Sequence, residues 1–251
     1  MFRIPKEEHS ILVFGESQEE GLAAEDLKLL VWNVWKGKRG SPWARDFQGL
    51  REDRNLILLQ EAVADERMSH VFQEASASHE WHMATSFSWR FSQHQTGVIT
   101  GASAKPKNKK SLRGKERELF FLTPKVSLST HYSLPGHEND LLAINTHVVN
   151  FTTTSSFIRF IEELVTLIES HQGPLILAGD FNTWNISRWQ SLVAILDRMG
   201  LAHVDLGADP RSLKLDHVFV RGLRIRSAQV KSDIVTSDHF PLLVDLELSS
   251  K

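Results

Sequence analysis

The stretch "GPLILAGDFNTW" (Gly173–Trp184) decides how this chain is read. Leu175–Gly179 is short and apolar, as a buried strand is, and it ends in Asp180, Phe181 and Asn182. In extended chain, residues two apart point to the same side. Asp180 and Asn182 are therefore expected to face one pocket while Phe181 turns into the core. Gly179, lacking a Cβ, lets other groups approach the backbone closely. Burying polar side chains without partners is costly. A strand that ends this way reads as a rigid mount for a polar pair that meets something else.

Other apolar runs end alike. "LKLLVW" ends in Asn33, "NLILLQ" in Glu61 and "LLAINT" in His147. "LKL" leads into Asp216, and "TSDH" places Asp238 and His239 just before the last apolar run. Singly, each has a bland reading: Asn33 and Asn182 as turn or cap residues, Glu61 as half of an ion pair, His147 as an interior histidine, Asp180 as a helix cap. Jointly, they read as one site, because ligands of α/β sheets sit where strand ends and loops converge.

The rest of the chain fits an α/β protein. It has 251 residues, 41% hydrophobic and 24% charged, and no cysteine. Disulfides and thiolate metal sites are excluded, so any metal must be held by oxygen or imidazole. No apolar run approaches the ~20 residues of a membrane span, and "MFRIPKEEHS" lacks a signal-peptide pattern, so a cytoplasmic, monomeric protein is expected. The net charge of −2 rules out a generally basic nucleic-acid binder.

Residues 1–26 read as an N-terminal extension and 27–251 as one domain of layered α/β type. Strands are predicted at "LKLLVWN", "NLILLQE", "QTGVITG", "LFFLTPKVSLS", "DLLAINTH", "PLILAGD", "LDHVFVR", "IRSAQV" and "PLLVDLEL". Two helices are clear. "SSFIRFIEELVTLIESHQG" carries Phe157, Ile161, Leu164, Val165 and Ile168 on one face with Ser155 as cap, and "SRWQSLVAILDRMG" carries Trp189, Leu192, Val193 and Leu196.

The motifs "WNV", "LLQE", "NTH", "GDFN", "LDHVF" and "SDH" followed by Pro241, in this order over residues 28–248, resemble the endonuclease/exonuclease/phosphatase (DNase I-like) superfamily. "GDFN" with a distal "SDH" is the specific pair. "VWNVWK", "TGVITGASAKP", "NTHVVNF" and "LDHVFVRGL" are similar to the YafD-like proteins of proteobacteria. The resemblance implies a four-layered α/β sandwich: two packed mixed β-sheets flanked by helices, with the active site at one edge. It implies a Mg²⁺-dependent phosphoester hydrolase, with Mn²⁺ as an alternative. Glu61, Asn33 and Asp238 would lie on the metal side. Asp180 would activate water with help from Asn182, His239 would be held by Asp216, and His147 would face the phosphate or leaving group. The base could equally be exchanged between Asp180 and His239. DNA-repair members carry an acid two positions after the first Asn. Here that residue is Trp35, and His147 is present where they lack a histidine, which favours the nuclease, sphingomyelinase and phosphatase branches.

Two further features bear on substrate. "KPKNKKSLRGKER" (Lys105–Arg117) holds seven basic residues and one Glu. It reads either as a solvated loop or, through Lys107, Lys109, Lys110 and Arg113, as a contact for substrate phosphate, which favours nucleic acid as partner. "FSWRF" puts Phe87, Trp89 and Phe91 on one strand face, a pattern more common in cores than in base-stacking platforms. A phosphodiesterase, with a nuclease first and a lipid or inositol phosphatase second, competes with a non-catalytic phosphate-binding scaffold.

Overall fold

A computed structural model describes residues 2–75, 78–92, 94–118 and 123–249. Fourteen strands form two sheets among these residues. The first sheet contains β1 (Phe2–Arg3), β2 (Ile11–Phe14), β3 (Leu27–Asn33), β4 (Leu56–Ala64), β5 (Glu80–Trp89), β6 (Gln95–Ala102), β13 (Leu223–Val230) and β14 (Leu242–Leu248). Its order is β1-β5-β6-β4-β3-β14-β13, with β2 also paired to β5. The second has the order β11-β12-β10-β9-β8-β7, from β7 (Asn108–Arg117), β8 (Pro124–Tyr132), β9 (Leu141–His147), β10 (Leu175–Asp180), β11 (Ala202–His203) and β12 (Asp216–Arg221). The helices are α1 (Ser41–Arg51), α2 (Glu66–Glu74), α3 (Thr154–Val165) and α4 (Ile186–Asp197).

Strand periodicity builds four layers. Leu29 and Val31 of β3 pack with Leu141, Ala143, Ile176, Ala178, Val218 and Val220 of the other sheet. The alternate residues Leu30 and Trp32 pack outward with Trp43 and Phe47 of α1 and Met68 and Phe72 of α2. On the opposite side, Leu142, Ile144, Leu175 and Leu177 meet Phe157, Phe160 and Ile161 of α3 and Leu192 and Leu196 of α4. Carrying each inward parity to the strand end reaches Asn33, His147, Asp180 and Asp216. All four point between the sheets at one edge.

Glu61 has the opposite parity. A register shift in the β4–β6 ladder between Leu59 and Ala62 re-aims it, with Glu61 itself at φ 53°.

The nine predicted strands are present with small shifts of boundary. Residues 119–122 of the run "LFFLTPKVSLS" lie outside the described residues. β1, β2, β7, β11, α1 and α2 have no counterpart among the predicted elements, and of β5 only the end at Phe87 and Trp89 is read as strand. The basic stretch read as a loop is strand β7, hydrogen-bonded to β8. Residues 2–14, read as part of an extension, supply β1 and β2 at the edge of the first sheet. The cap of α3 is Thr153, whose Oγ1 accepts from Ser156 N, rather than Ser155. Of the stripe Phe87–Phe91 only Phe87 is buried: exposure climbs from 9% at Phe87 through 43% at Trp89 to 95% at Phe91, which lies past the end of β5.

Gly179 sits at φ 142°, and a Cβ there would stand 2.0 Å from Thr146 O. Gly49, exposed on α1, has nothing within 4 Å of its Cβ position. Gly179→Ala should lower unfolding stability by at least about 3 kcal/mol, while Gly49→Ala should raise it by about 0.5–1 kcal/mol, both read from urea denaturation. Equal effects would contradict this packing.

Buried His82 donates from Nε2 to Glu80 Oε1 at 2.8 Å. Burial, and then the charge of Lys109, push it down to about 4. Its folded value is below its unfolded one. The stability it confers is therefore full above about pH 6.5 and is lost as pH falls towards 4. The urea midpoint should drop between pH 7 and 4.5, and drop less in His82→Gln. Parallel declines would exclude His82 as the source.

Candidate active site

The inward strand tips meet at a cleft of about 670 Å³ lined by Glu61, His147, Asp180, Asn182, Asp238 and His239, with Lys36 and Lys125 among its walls. Asn33 closes the gap between the sheets: its Nδ2 donates to Asp180 Oδ2 at 3.0 Å. The other oxygen, Oδ1, accepts from Asn182 N at 2.9 Å. Asn182, at φ 52°, turns its own amide to donate to Val148 O. This ties the end of β10 to the segment after β9. Phe181 points away into the helix layer, as its parity requires.

His239 comes from the β13–β14 loop. Trp32 Nε1 donates to its carbonyl at 2.9 Å, and Ser237 Oγ donates to Asn33 O at 2.7 Å, so the loop is pinned to β3. Its Nδ1 lies 2.8 Å from Asp216 Oδ2. Burial opposes protonation of His239, but the charge and hydrogen bond of Asp216, with Asp180 and Asp238 nearby, win and raise it to about 10. This makes it an imidazolium; Nδ1 is engaged by Asp216, and the residue lines the cleft. Arg211 orients Asp216 in turn. Its Nη1 donates to Asp216 O at 3.0 Å, and its Nε and Nη2 form a double contact with Asp209.

Asp180 is pushed up to about 7 by burial and by Asp216. Its Oδ2 lies 3.4 Å from His147 Nε2. Burial and the neighbouring Lys125 hold His147 well below the usual histidine value. Lys125 Nζ donates to His147 Nε2 at 3.2 Å and pairs with Glu118 at 3.1 Å. On this side the positive charge belongs to Lys125, and His147 is neutral.

Burial would raise Glu61, yet the charges of His147, Lys36 and Lys125 hold it at about 2. Near pH 7, where His147 is neutral, Lys36 and Lys125 sustain this; Lys36 Nζ is 2.8 Å from Glu61 Oε2. Trp35, Lys36, Glu61 and Asn182 all adopt positive φ, so backbone strain concentrates here.

The donor set suits a hard divalent cation: Glu61 and exposed Asp238 offer carboxylate oxygens, and Asn33 offers an amide oxygen that also accepts from Trp35 N. Another group, Asp180, Asp216 and His239, has ligand atoms within 4.8 Å of one another. There Nδ1 of His239 is already engaged by Asp216, so this trio fits proton handling better than ligation.

The residues expected at the site are together, except those of the basic stretch. Lys107 donates to Asp140, and Lys109 and Lys110 pair with Thr130 and Ser129. The cleft-lining residues of β8 are Pro124, Lys125 and Val126, three or more residues along the ladder from Ser129, roughly 10 Å or more from Lys109 and Lys110; Arg113 pairs with Val126. Arg113 donates to Thr85 O. Sequence reasoning missed Lys36, Lys125, Glu118 and Arg211. Lys36 sits beside "WNV", where proximity to a strand tip was available as a signal; the others carry none.

The geometry agrees with the comparisons to known proteins. The model of the Endonuclease/Exonuclease/phosphatase family matches residues 30–239. A UPF0294 protein of Vibrio parahaemolyticus is 34% identical over 231 residues, covering 89% of this chain and 79% of its own. A UPF0294 protein of Yersinia pseudotuberculosis is 36% identical over 233 residues, covering 89% and 85%. Among solved structures, the human Nocturnin catalytic domain with bound sulfate superposes with a TM-score of 0.69 at 15% identity, over 91% of this chain and 96% of that one. A mannosyl-6-phosphatase of Bacteroides thetaiotaomicron gives 0.67 at 17% identity, over 88% and 99%. With its two mixed sheets, its helical outer layers and its convergent polar strand tips, the chain belongs to the endonuclease/exonuclease/phosphatase family.

Proposed function

We propose that this protein is a divalent-metal-dependent phosphoester hydrolase that cleaves phosphodiesters, with nucleic acid or its fragments as the leading substrate class. The observation that carries this is Asp180. It is a buried carboxylate with a near-neutral pKa, fixed by Asn33 and the Asn182 backbone, in the same cleft as an imidazolium fixed by Asp216. A base works best when its pKa is near the working pH. Asp180 takes the proton of the attacking water. His239 offers Nε2–H and its charge to the phosphoryl oxygens. Lys125, braced by Glu118, adds charge on the His147 side. Glu61, Asp238 and Asn33 are the residues that would hold Mg²⁺ or Mn²⁺, which supplies Lewis-acid charge to the phosphate when bound.

The nucleic-acid reading must rest on the cleft, because Lys107, Lys109 and Lys110 lie away from it. A phosphomonoesterase is the second reading. Lys36 and Lys125 in the cleft suit a dianionic phosphate, and a mannosyl-6-phosphatase shares the fold.

Hydrolysis of bis-p-nitrophenyl phosphate should require a divalent cation and stop with chelator. Asp180→Asn should lower turnover about a thousandfold, and Glu61→Gln should weaken Mg²⁺ binding at least about tenfold by calorimetry. Metal-independent turnover, or unchanged affinity in Glu61→Gln, would overturn the assignments. Hydrolysis of p-nitrophenyl phosphate in place of the diester would favour the second reading.

A further inference from the structure

The cleft has an apolar end that the hydrolytic groups do not use. Its wall is built from Phe2, Phe87 and Trp89, and Phe151 is also among the cleft's lining residues. The topology explains why aromatic residues gather there. β4 is antiparallel to β6, and β6 is antiparallel to β5, so β5 runs towards the same edge as β3 and β4. Phe87 pairs with Thr96, and Thr96 pairs with Val63, two residues past Glu61. Phe87 thus stands two strands, about 10 Å, from the metal-side strand. Trp89 lies two residues further along the same face.

The wall is rigid. Phe87 packs against Phe2 with centroids 5.3 Å apart and against Trp89 edge-on at 5.3 Å and 85°. With one edge of the stack supported, Trp89 remains 43% exposed. Phe151, at φ 40°, is held half-exposed beside Asn150, whose backbone N–H donates to Glu118.

We propose that this end of the cleft holds a flat aromatic group carried by the phosphoester, stacked on Trp89 next to the phosphate. The assignment rests on the phosphoester reading above and deepens it: the substrate is a phosphoester whose alcohol carries a flat heterocycle, as in a nucleotide. Two features favour a ring over an alkyl chain. The fixed edge-to-face packing presents a ring face, which stacking uses. Asn150, part-exposed in the cleft lining, carries a side-chain amide that the edge of a heterocycle can hydrogen-bond and an alkyl chain cannot.

The test is ligand binding in Ca²⁺, which does not depend on turnover. Adenosine 5′-monophosphate, ribose 5-phosphate and octyl phosphate are titrated against wild type, Trp89→Ala and Trp89→Phe. The chain has seven tryptophans, so the signal of Trp89 is the wild-type fluorescence change minus that of Trp89→Phe. Adenosine monophosphate should bind roughly tenfold more tightly than ribose 5-phosphate and quench Trp89. The preference should vanish in Trp89→Ala and persist in Trp89→Phe. Equal affinities, or a preference that survives Trp89→Ala, would overturn the proposal. So would an equal gain with octyl phosphate through Trp89, since the wall would then select apolarity and not a ring. Failure of diester hydrolysis with this binding intact would count against the catalytic reading and leave the aromatic site standing.

Discussion

Buried amides that cross between the two sheets fix everything at the catalytic edge. Gln60 of β4 donates to Asn145 Oδ1 of β9 at 2.7 Å, and Asn145 Nδ2 donates in turn to the carbonyls of Leu59 and Ile99. One step nearer the edge, Asn33 of β3 donates to Asp180 of β10. Apolar packing between sheets is tolerant of sliding, while a hydrogen bond in a dry interior is not, because breaking it strands its partners. These contacts set the offset between sheets. That offset decides whether Glu61 and Asp180, which belong to different sheets, share a cleft.

The charges at the edge are arranged in answer to burial. Left alone, burial would neutralise Glu61, His239 and Asp180 alike. Lys36 and Lys125 keep Glu61 ionised, and Asp216 keeps His239 protonated. Asp180 lacks a comparable cation in direct contact and sits beside Asp216, so its affinity for a proton rises. The same low-dielectric site therefore holds one carboxylate that stays ionised and another that binds a proton near neutral pH. Two environments, not two residue types, separate the roles.

Much of this was legible in the sequence because strand parity is simple. Asn33, His147, Asp180 and Asp216 each continue the inward-facing set of an apolar run, so apolar alternation leads to the site. Glu61 was legible as a polar terminus, but its aim depends on a β-bulge that no local pattern announces. Asn182 was assigned to the same pocket by alternation, and its positive φ shows that a turn, and not extended chain, presents it. α1 and α2 are short and only partly apolar, so they were missed. The basic stretch misled because charge density shows neither secondary structure nor which end of a ladder it occupies. Lys125 acts on His147, 22 residues away, and Arg211 braces the nearby Asp209 and Asp216; apolar alternation announces neither contact.

The central claim is that tips of both sheets work as one chemical unit. A double-mutant cycle across the sheets tests it most directly: Asn33→Ala, Asp180→Asn and the pair, each assayed for metal-dependent hydrolysis of a phosphodiester. If Asn33 acts by fixing Asp180, the double variant should be little worse than the worse single one, since groups that act together are not additive. Losses that simply multiply would mean that the two tips contribute independently, and the account of a site assembled across the sheets would be contradicted.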